Sequence, residues 1–293
     1  MLPRLHSAGL ALVALVVLAA CATDQPLHVA GPPPEVSRDI GPYRDAVEQR
    51  RYAVAVAGLR PIVQAHPDHV DAKLTLAAAY FGQADIPQAL RLYTEAEPQS
   101  TTPRQRGDAR AGQGLIALYQ GDPAAAEARF RDALADDRSA AVAWNGLGQS
   151  LDRQGRHDEA KTAFGEALQR RPGWTVALNN LGLAYLHSGD PPGAERVLMQ
   201  ARQSDPRSAV VANNLRLAIA LQGRYEEALA GVADADEADA LNNVGYAAMI
   251  RGDLGAAGRY LHRAQNVSPS FHAEADRNLR LLETLRAQRG GTT

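Results

Sequence analysis

Cysteine is almost absent from this chain of 293 residues: Cys21 is the only one. No disulfide can therefore form within it. Aromatic residues make up 5% against a hydrophobic content of 45%, so the apolar content is mostly Ala, Leu and Val, a composition that favours helices. A formal net charge of −2 leaves no general basic field, which speaks against nucleic acid as a partner. The chain also lacks a Gly-rich phosphate loop, a paired-cysteine metal spacing, an H-E-x-x-H helix and a Gly-x-Ser-x-Gly elbow, the patterns that carry much catalytic and metal chemistry. These absences argue against an enzyme, a cofactor, a resident metal or a small-molecule substrate.

The longest continuous apolar run stands at the start. Arg4 gives a positive N-terminus, and Ala8 to Ala20 follows without a charged side chain for 13 residues. A membrane-spanning helix needs about 20, whereas this length suits the apolar core of a signal peptide. A lone cysteine in an exported chain is a free thiol, an intermolecular bridge or a modified residue. The sequence Leu18-Ala19-Ala20-Cys21 resembles the bacterial lipobox, which implies cleavage before Cys21 and lipid attachment to its thiol. The alternative is an ordinary signal peptide with Cys21 there by chance. Ala22 and Thr23 follow in place of an inner-membrane-type Asp, so the expected address is the outer membrane, lipid-anchored and periplasm-facing. The Pro-rich stretch that includes Gly31-Pro32-Pro33-Pro34 has the composition of a semi-rigid spacer. The expected organisation is a signal peptide over 1–20 and a lipidated linker over 21–38.

Beyond the linker the sequence repeats. Ala55, Ala89, Ala126, Ala160, Ala194, Ala228 and Ala257 follow one another at gaps of 34, 37, 34, 34, 34 and 29. Gly121, Gly155, Gly189 and Gly223 keep the step of 34, as do Ala133, Ala167, Ala201 and Ala235, and Pro172 and Pro206. Several registers sharing one period mark a repeat architecture.

Within one period stand Trp144, Leu147-Gly148, Leu151, Gly155, Ala160, Phe164, Ala167 and Pro172, and the next has Leu178, Leu181-Gly182, Tyr185, Gly189, Ala194, Leu198, Ala201 and Pro206. This pattern resembles the tetratricopeptide repeat, a helix-turn-helix unit. The resemblance implies an all-α superhelix (α-solenoid) of about seven units over 39–271. It also implies that Gly148 and Gly182 sit where helices A and B of a unit cross. Trp144 and Trp174 are expected to be packing residues. Each unit buries its apolar face only against its neighbours. In the gap of 37, Pro98 and Pro103 predict an early end to helix B and a short inserted loop. In the gap of 29, the acidic stretch with Asp234, Asp236 and Glu237 predicts a shortened helix B in the sixth unit. Residues 272–288 should form a capping helix, and 289–293 a frayed tail.

Helix A of each unit should line the concave face. Three successive units carry Asn pairs there: Asn179-Asn180, Asn213-Asn214 and Asn242-Asn243. A carboxamide both donates and accepts, which suits an extended peptide backbone; the bland alternative is that these residues bond neighbouring helices. Beside them stand Leu183, Leu186, His187, Leu217, Leu221, Tyr246, Met249 and Ile250, and this mixture fits an extended or helical partner apolar on one face. The histidines look scattered: none has a partner at ligand spacing on one predicted helix face, and His66 and His69 only flank Pro67.

The C-terminal third narrows the resemblance. The segment from Asn213 through Gly223-Arg224-Tyr225-Glu226-Glu227-Ala228, then Leu241-Asn242-Asn243-Val244-Gly245-Tyr246 to Gly252-Asp253, is similar to the tetratricopeptide lipoproteins of tight-adherence (Flp) pilus assembly. That likeness implies a scaffold whose partners are proteins of the cell envelope, such as pilus-assembly or secretin components, held to the membrane by its lipid anchor. Other readings are a pilotin or scaffold for another secretin or a polysaccharide export system, and an adaptor for envelope hydrolases.

Overall fold

A computed structural model describes residues 39–267 and 273–290. The expected signal peptide, Cys21 and the Pro-rich linker lie outside the described residues, as do 268–272 and 291–293. Among the described residues all regular structure is helical. Helices pair in chain order: α1 (Gly41–Glu48) with α2 (Tyr52–Ala65), α3 (Val70–Gly82) with α4 (Ile86–Gln99), α5 (Pro103–Tyr119) with α6 (Pro123–Asp136). There follow α7 (Ala141–Arg153) with α8 (His157–Arg170), α9 (Thr175–His187) with α10 (Pro191–Ser204), α11 (Ala209–Ala220) with the short α12 (Tyr225–Leu229), and α13 (Glu237–Ile250) with α14 (Leu254–Val267). The last helix, α15 (Ala273–Gly290), packs on α13 and α14. The first helix of each pair is helix A and the second helix B.

The repeat positions explain the pairing. Every alanine of the series from Ala55 to Ala257 is sealed in the core. A methyl there lets two helices approach closely. Where A and B cross, a glycine on A faces a large residue sixteen places later on B: Gly114 with Phe130, Gly148 with Phe164, Gly182 with Leu198, and Gly245 with Leu261. A Cβ added to Gly182 would stand 2.6 Å from Leu198 Cγ, and one on Gly148 2.6 Å from Phe164 Cε1. Helix starts are fixed by side chains accepting from the free first-turn amides: Asp122 from Ala125 N at 2.9 Å, and Asp190 from Gly193 N at 2.9 Å. Proline follows each cap at the first helical position, where its missing N–H costs nothing. Charged clasps join units 3 to 4 and 5 to 6. Glu127 accepts from Gln154 and Arg156, both at 2.7 Å, while Glu195 accepts from Gln222 at 2.6 Å and Arg224 at 2.7 Å.

Both irregularities have structural counterparts. In the sixth unit helix B is cut to five residues. Gly231 (φ +69°) and a 3-10 turn at Asp234–Asp236 then lead into α13. The gap of 37 departs from expectation. Pro98 does not end α4 early but stands in its last turn, where the loss of one amide interrupts nothing beyond it. Ser100 Oγ donates to the Ala96 carbonyl there at 2.8 Å. The extra residues lengthen α5 to 17, against 13 in α3, α7 and α9. They add a turn of helix and not a loop.

A candidate partner-binding face on the A helices

Each helix A lies close against helix A of the next unit, whereas among the described residues successive B helices stand farther apart and meet through side chains, as where the Tyr260 hydroxyl of α14 donates to Glu226 of α12 at 2.8 Å. The A helices therefore occupy the inside of the curve. Their exposed positions form a stripe, and the expected groove residues divide between that stripe and the packing beneath it.

Asn180 and Asn214 are half-buried, and their side-chain amides are used within the array. Asn180 Nδ2 donates to Asn145 Oδ1 at 3.0 Å, and Asn214 Nδ2 donates to Asn179 Oδ1 at 2.8 Å. Asn242 is buried and accepts at 2.9 Å from Asn278 on α15. These carboxamides tie consecutive A helices together. Met249 also turns inward: it is 7% exposed within the C-terminal core, because the helix phase that presents Tyr246 and Ile250 outward carries Met249 into the packing. The two tryptophans are half-buried. Trp144 donates its indole N–H to the Arg138 carbonyl at 3.0 Å, and Arg171 lies 5.0 Å over the Trp174 ring.

What remains outward is a narrower set. Asn213, Asn243, Tyr246 and Ile250 are exposed, with His187 exposed and Leu183 and Leu217 half-covered. Val142, Val176 and Val210, one unit apart, extend the exposed apolar row. Arg216, Leu217 and Val244 frame a crevice between α11 and α13 with Asn213 and Asn243 on its walls. A second hollow of about 250 Å³ opens between α13 and α15, lined by Asn243, Tyr246, Glu274 and Arg277.

The same face carries a larger groove in units 1 to 4, of about 380 Å³, lined by Arg44, Asp71, Leu74, Arg104, Asp108, Leu115 and Val142. Arg44 pairs with Asp71 at 3.4 Å and Arg104 with Asp108 at 3.7 Å. Crowding by the protein raises the Asp108 carboxyl above its usual range. Arg104 opposes this and the charges of Asp137 and Asp71 add to it, although nearly half of the side chain stays exposed. Sequence reading missed this groove because its charges come from three different helices with no shared spacing. The histidines, too, are less scattered than they look in sequence. His157 and His187, on different helices, meet at Asp152.

Models of the tetratricopeptide repeat match residues 46–110, 112–174 and 153–216, more than half of the chain. The chain belongs to the tetratricopeptide-repeat family. It is thus a helical scaffold for protein–protein interaction. Among solved structures it is similar to PilF of Pseudomonas aeruginosa, at 22% identity and a TM-score of 0.53, covering 71% of this chain and 95% of that one. PilW, described as a widely conserved type IV pilus biogenesis factor, gives 17% identity and a TM-score of 0.54, over 81% of this chain and 94% of its own. The Cut9–Hcn1 assembly of the anaphase-promoting complex gives 17% and 0.60, with 83% of this chain set on 48% of that one. At these identities the likeness is one of fold. No curated protein sequence matches the chain.

Proposed function

We propose that this protein is a lipid-anchored scaffold on the periplasmic side of the outer membrane, working in assembly of an Flp (tight-adherence) pilus as TadD does. The observation that carries the scaffold role is the outward row on α11 and α13, where Asn213, Asn243, Tyr246 and Ile250 stand exposed on the inside of the solenoid. Carboxamides beside apolar side chains suit an extended or helical segment with one apolar face. The lipobox-like Leu18-Ala19-Ala20-Cys21 supports the anchor, and the sequence of the sixth and seventh units supports the Flp system. PilF and PilW, similar in fold over most of this chain, favour a second reading, a scaffold for a type IV pilus.

A photo-crosslinking residue at Tyr246, introduced in cells with an intact envelope, separates the readings. Capture of an Flp secretin or a neighbouring assembly protein supports the first, and capture of a type IV pilus component supports the second. Equal capture from Tyr246 and from a site on the outer, B-helix side would remove the groove assignment.

A further inference from the structure

We infer that Asp152, His157 and His187 form a site for one divalent transition-metal ion of the zinc class at the joint between the fourth and fifth units. Asp152 comes from the end of α7, His157 from the start of α8 and His187 from the end of α9. His157 Nδ1 lies 2.7 Å from Asp152 Oδ1, and His187 Nδ1 lies 2.8 Å from Asp152 Oδ2. A ligand atom from each of the three residues falls within 4.8 Å of the others. The two imidazole rings stand 5.7 Å apart, tilted by 48°.

The repeat shows how unusual this is. The positions equivalent to Asp152 in the third, fifth, sixth and seventh units hold Leu118, Leu186, Ala220 and Met249. The fourth unit alone among these puts a carboxylate where the array otherwise puts an apolar side chain. That carboxylate is 13% exposed, and among the described residues no arginine or lysine pairs with it. A mostly buried anion without a cation is costly. Hydrogen bonds from two imidazoles lessen that cost less than a dication bound among all three groups would.

The donor set selects the ion. Two imidazoles and one carboxylate suit zinc, nickel or copper, whereas calcium takes six to eight oxygens and magnesium an oxygen octahedron. A tetrahedral zinc shell with bonds of about 2.0–2.1 Å sets its ligand atoms about 3.3 Å apart. The two imidazole–carboxylate distances must therefore open by about half an ångström. His187 is half exposed, so its ring can make that shift without disturbing the core. Three protein ligands leave a fourth position for water or for a side chain of a bound partner. Because the ligands span α7, α8 and α9, the ion would also brace the joint beneath the binding stripe.

The test uses the full chain in detergent, stripped with a chelator and titrated with cobalt(II), then with zinc(II). The expected result is a visible cobalt spectrum of low-coordinate type that saturates at one ion per chain and is displaced by zinc, with a zinc-dependent rise in melting temperature. Asp152→Leu, which restores the residue type of the equivalent positions, should keep the fold and lose both signals. His187→Ala, at an exposed site, should weaken binding by more than about tenfold, because losing even an outer-shell partner of a ligand costs about 10–100-fold. Two results overturn the inference: wild-type chain that takes up no zinc with a Kd below about 10 µM, or variants that titrate as the wild type does.

Discussion

The side-chain amide of Asn214 donates to the carboxamide oxygen of Asn179 at 2.8 Å, and so joins helix A of the sixth unit to helix A of the fifth. Asn180 makes the same kind of bond back to Asn145, and Asn278 to Asn242. Each donor stands 35 or 36 residues after its acceptor. The carboxamides thus form a sequence of inter-unit links under the proposed binding stripe, and the outward set begins one residue over, at Asn213 and Asn243.

This division separates stability from binding. Asn180→Ala with Asn214→Ala should lower the melting temperature, since each net hydrogen bond is worth ~0.5–1.5 kcal/mol and a stranded buried partner such as Asn145 adds to the loss. Asn213→Ala with Asn243→Ala and Tyr246→Ala should leave melting nearly unchanged and weaken partner capture. Thermal melts and pull-downs on both sets check this. The assignment fails if the outward triple loses stability or if only the inward pair loses binding.

Gly182→Leu should destabilise the fifth unit by ~1–3 kcal/mol, the usual range for overpacking, because even a Cβ would meet Leu198 Cγ at 2.6 Å. Adding Leu198→Ala opens the space and should recover part of the loss. Denaturant unfolding of the single and double variants measures both. Additive losses in the double variant would show that the two residues do not share a crossing.

Some of this was legible in the sequence because one physical constraint recurs every 34 residues. The crossing glycine at 182 is legible because 114 and 148 carry it too. Its replacement by Arg216 in the sixth unit makes sense only in three dimensions. The opposing position, Val232, lies beyond the end of the shortened α12, so helix B presents no residue opposite Arg216 and the glycine is not needed. The inward turn of Asn242 is tied to α15, whose Asn278 donates to it at 2.9 Å from outside the repeat, whereas Met249 is carried inward by the phase of α13 itself. The meeting of Asp152, His157 and His187 was illegible because a spacing rule for one helix cannot see three helix ends converge.

The turn between helices A and B offers a stabilising change. Gly155 and Gly189 both adopt φ +77°, and the equivalent places in the first two units are Arg50 at φ +58° and Ala84 at φ +61°. A left-handed backbone costs an L-residue roughly 1–2 kcal/mol, while glycine gives back about 0.5–1 kcal/mol in chain entropy. Ala84→Gly should therefore stabilise the chain by a net ~0.5–1 kcal/mol. A higher denaturation midpoint with an unchanged slope is the expected readout. A lower midpoint would mean that Ala84 relaxes to an unstrained turn.

Lipid attachment can be tested independently of the array. Cys21 is the sole thiol, so Cys21→Ser should abolish labelling by a fatty-acid probe and release the protein from the membrane fraction or leave it unprocessed. Labelling that persists in the variant would rule out the anchor at this residue.

The clasp at Glu127 predicts an acid-dependent loss of stability. Its side chain is 8% exposed. Burial by itself would raise the carboxyl, but hydrogen bonds from Gln154 and Arg156 and the charges of Arg131 and Arg156 outweigh it and hold the group below its ordinary 4.5. A carboxylate whose folded pKa is depressed binds protons more readily when unfolded. Its contribution is therefore fully present above about pH 4.5 and fades as the pH falls from there through the lower folded value. Glu127→Gln removes this titration. At neutral pH the variant should melt lower, having lost the charge that Arg156 and Arg131 face. Below pH 4.5 the wild type should lose melting temperature more steeply than the variant, and the two curves should converge. Parallel curves between pH 6 and 3 would show that the clasp between the third and fourth units does not depend on the charge of Glu127.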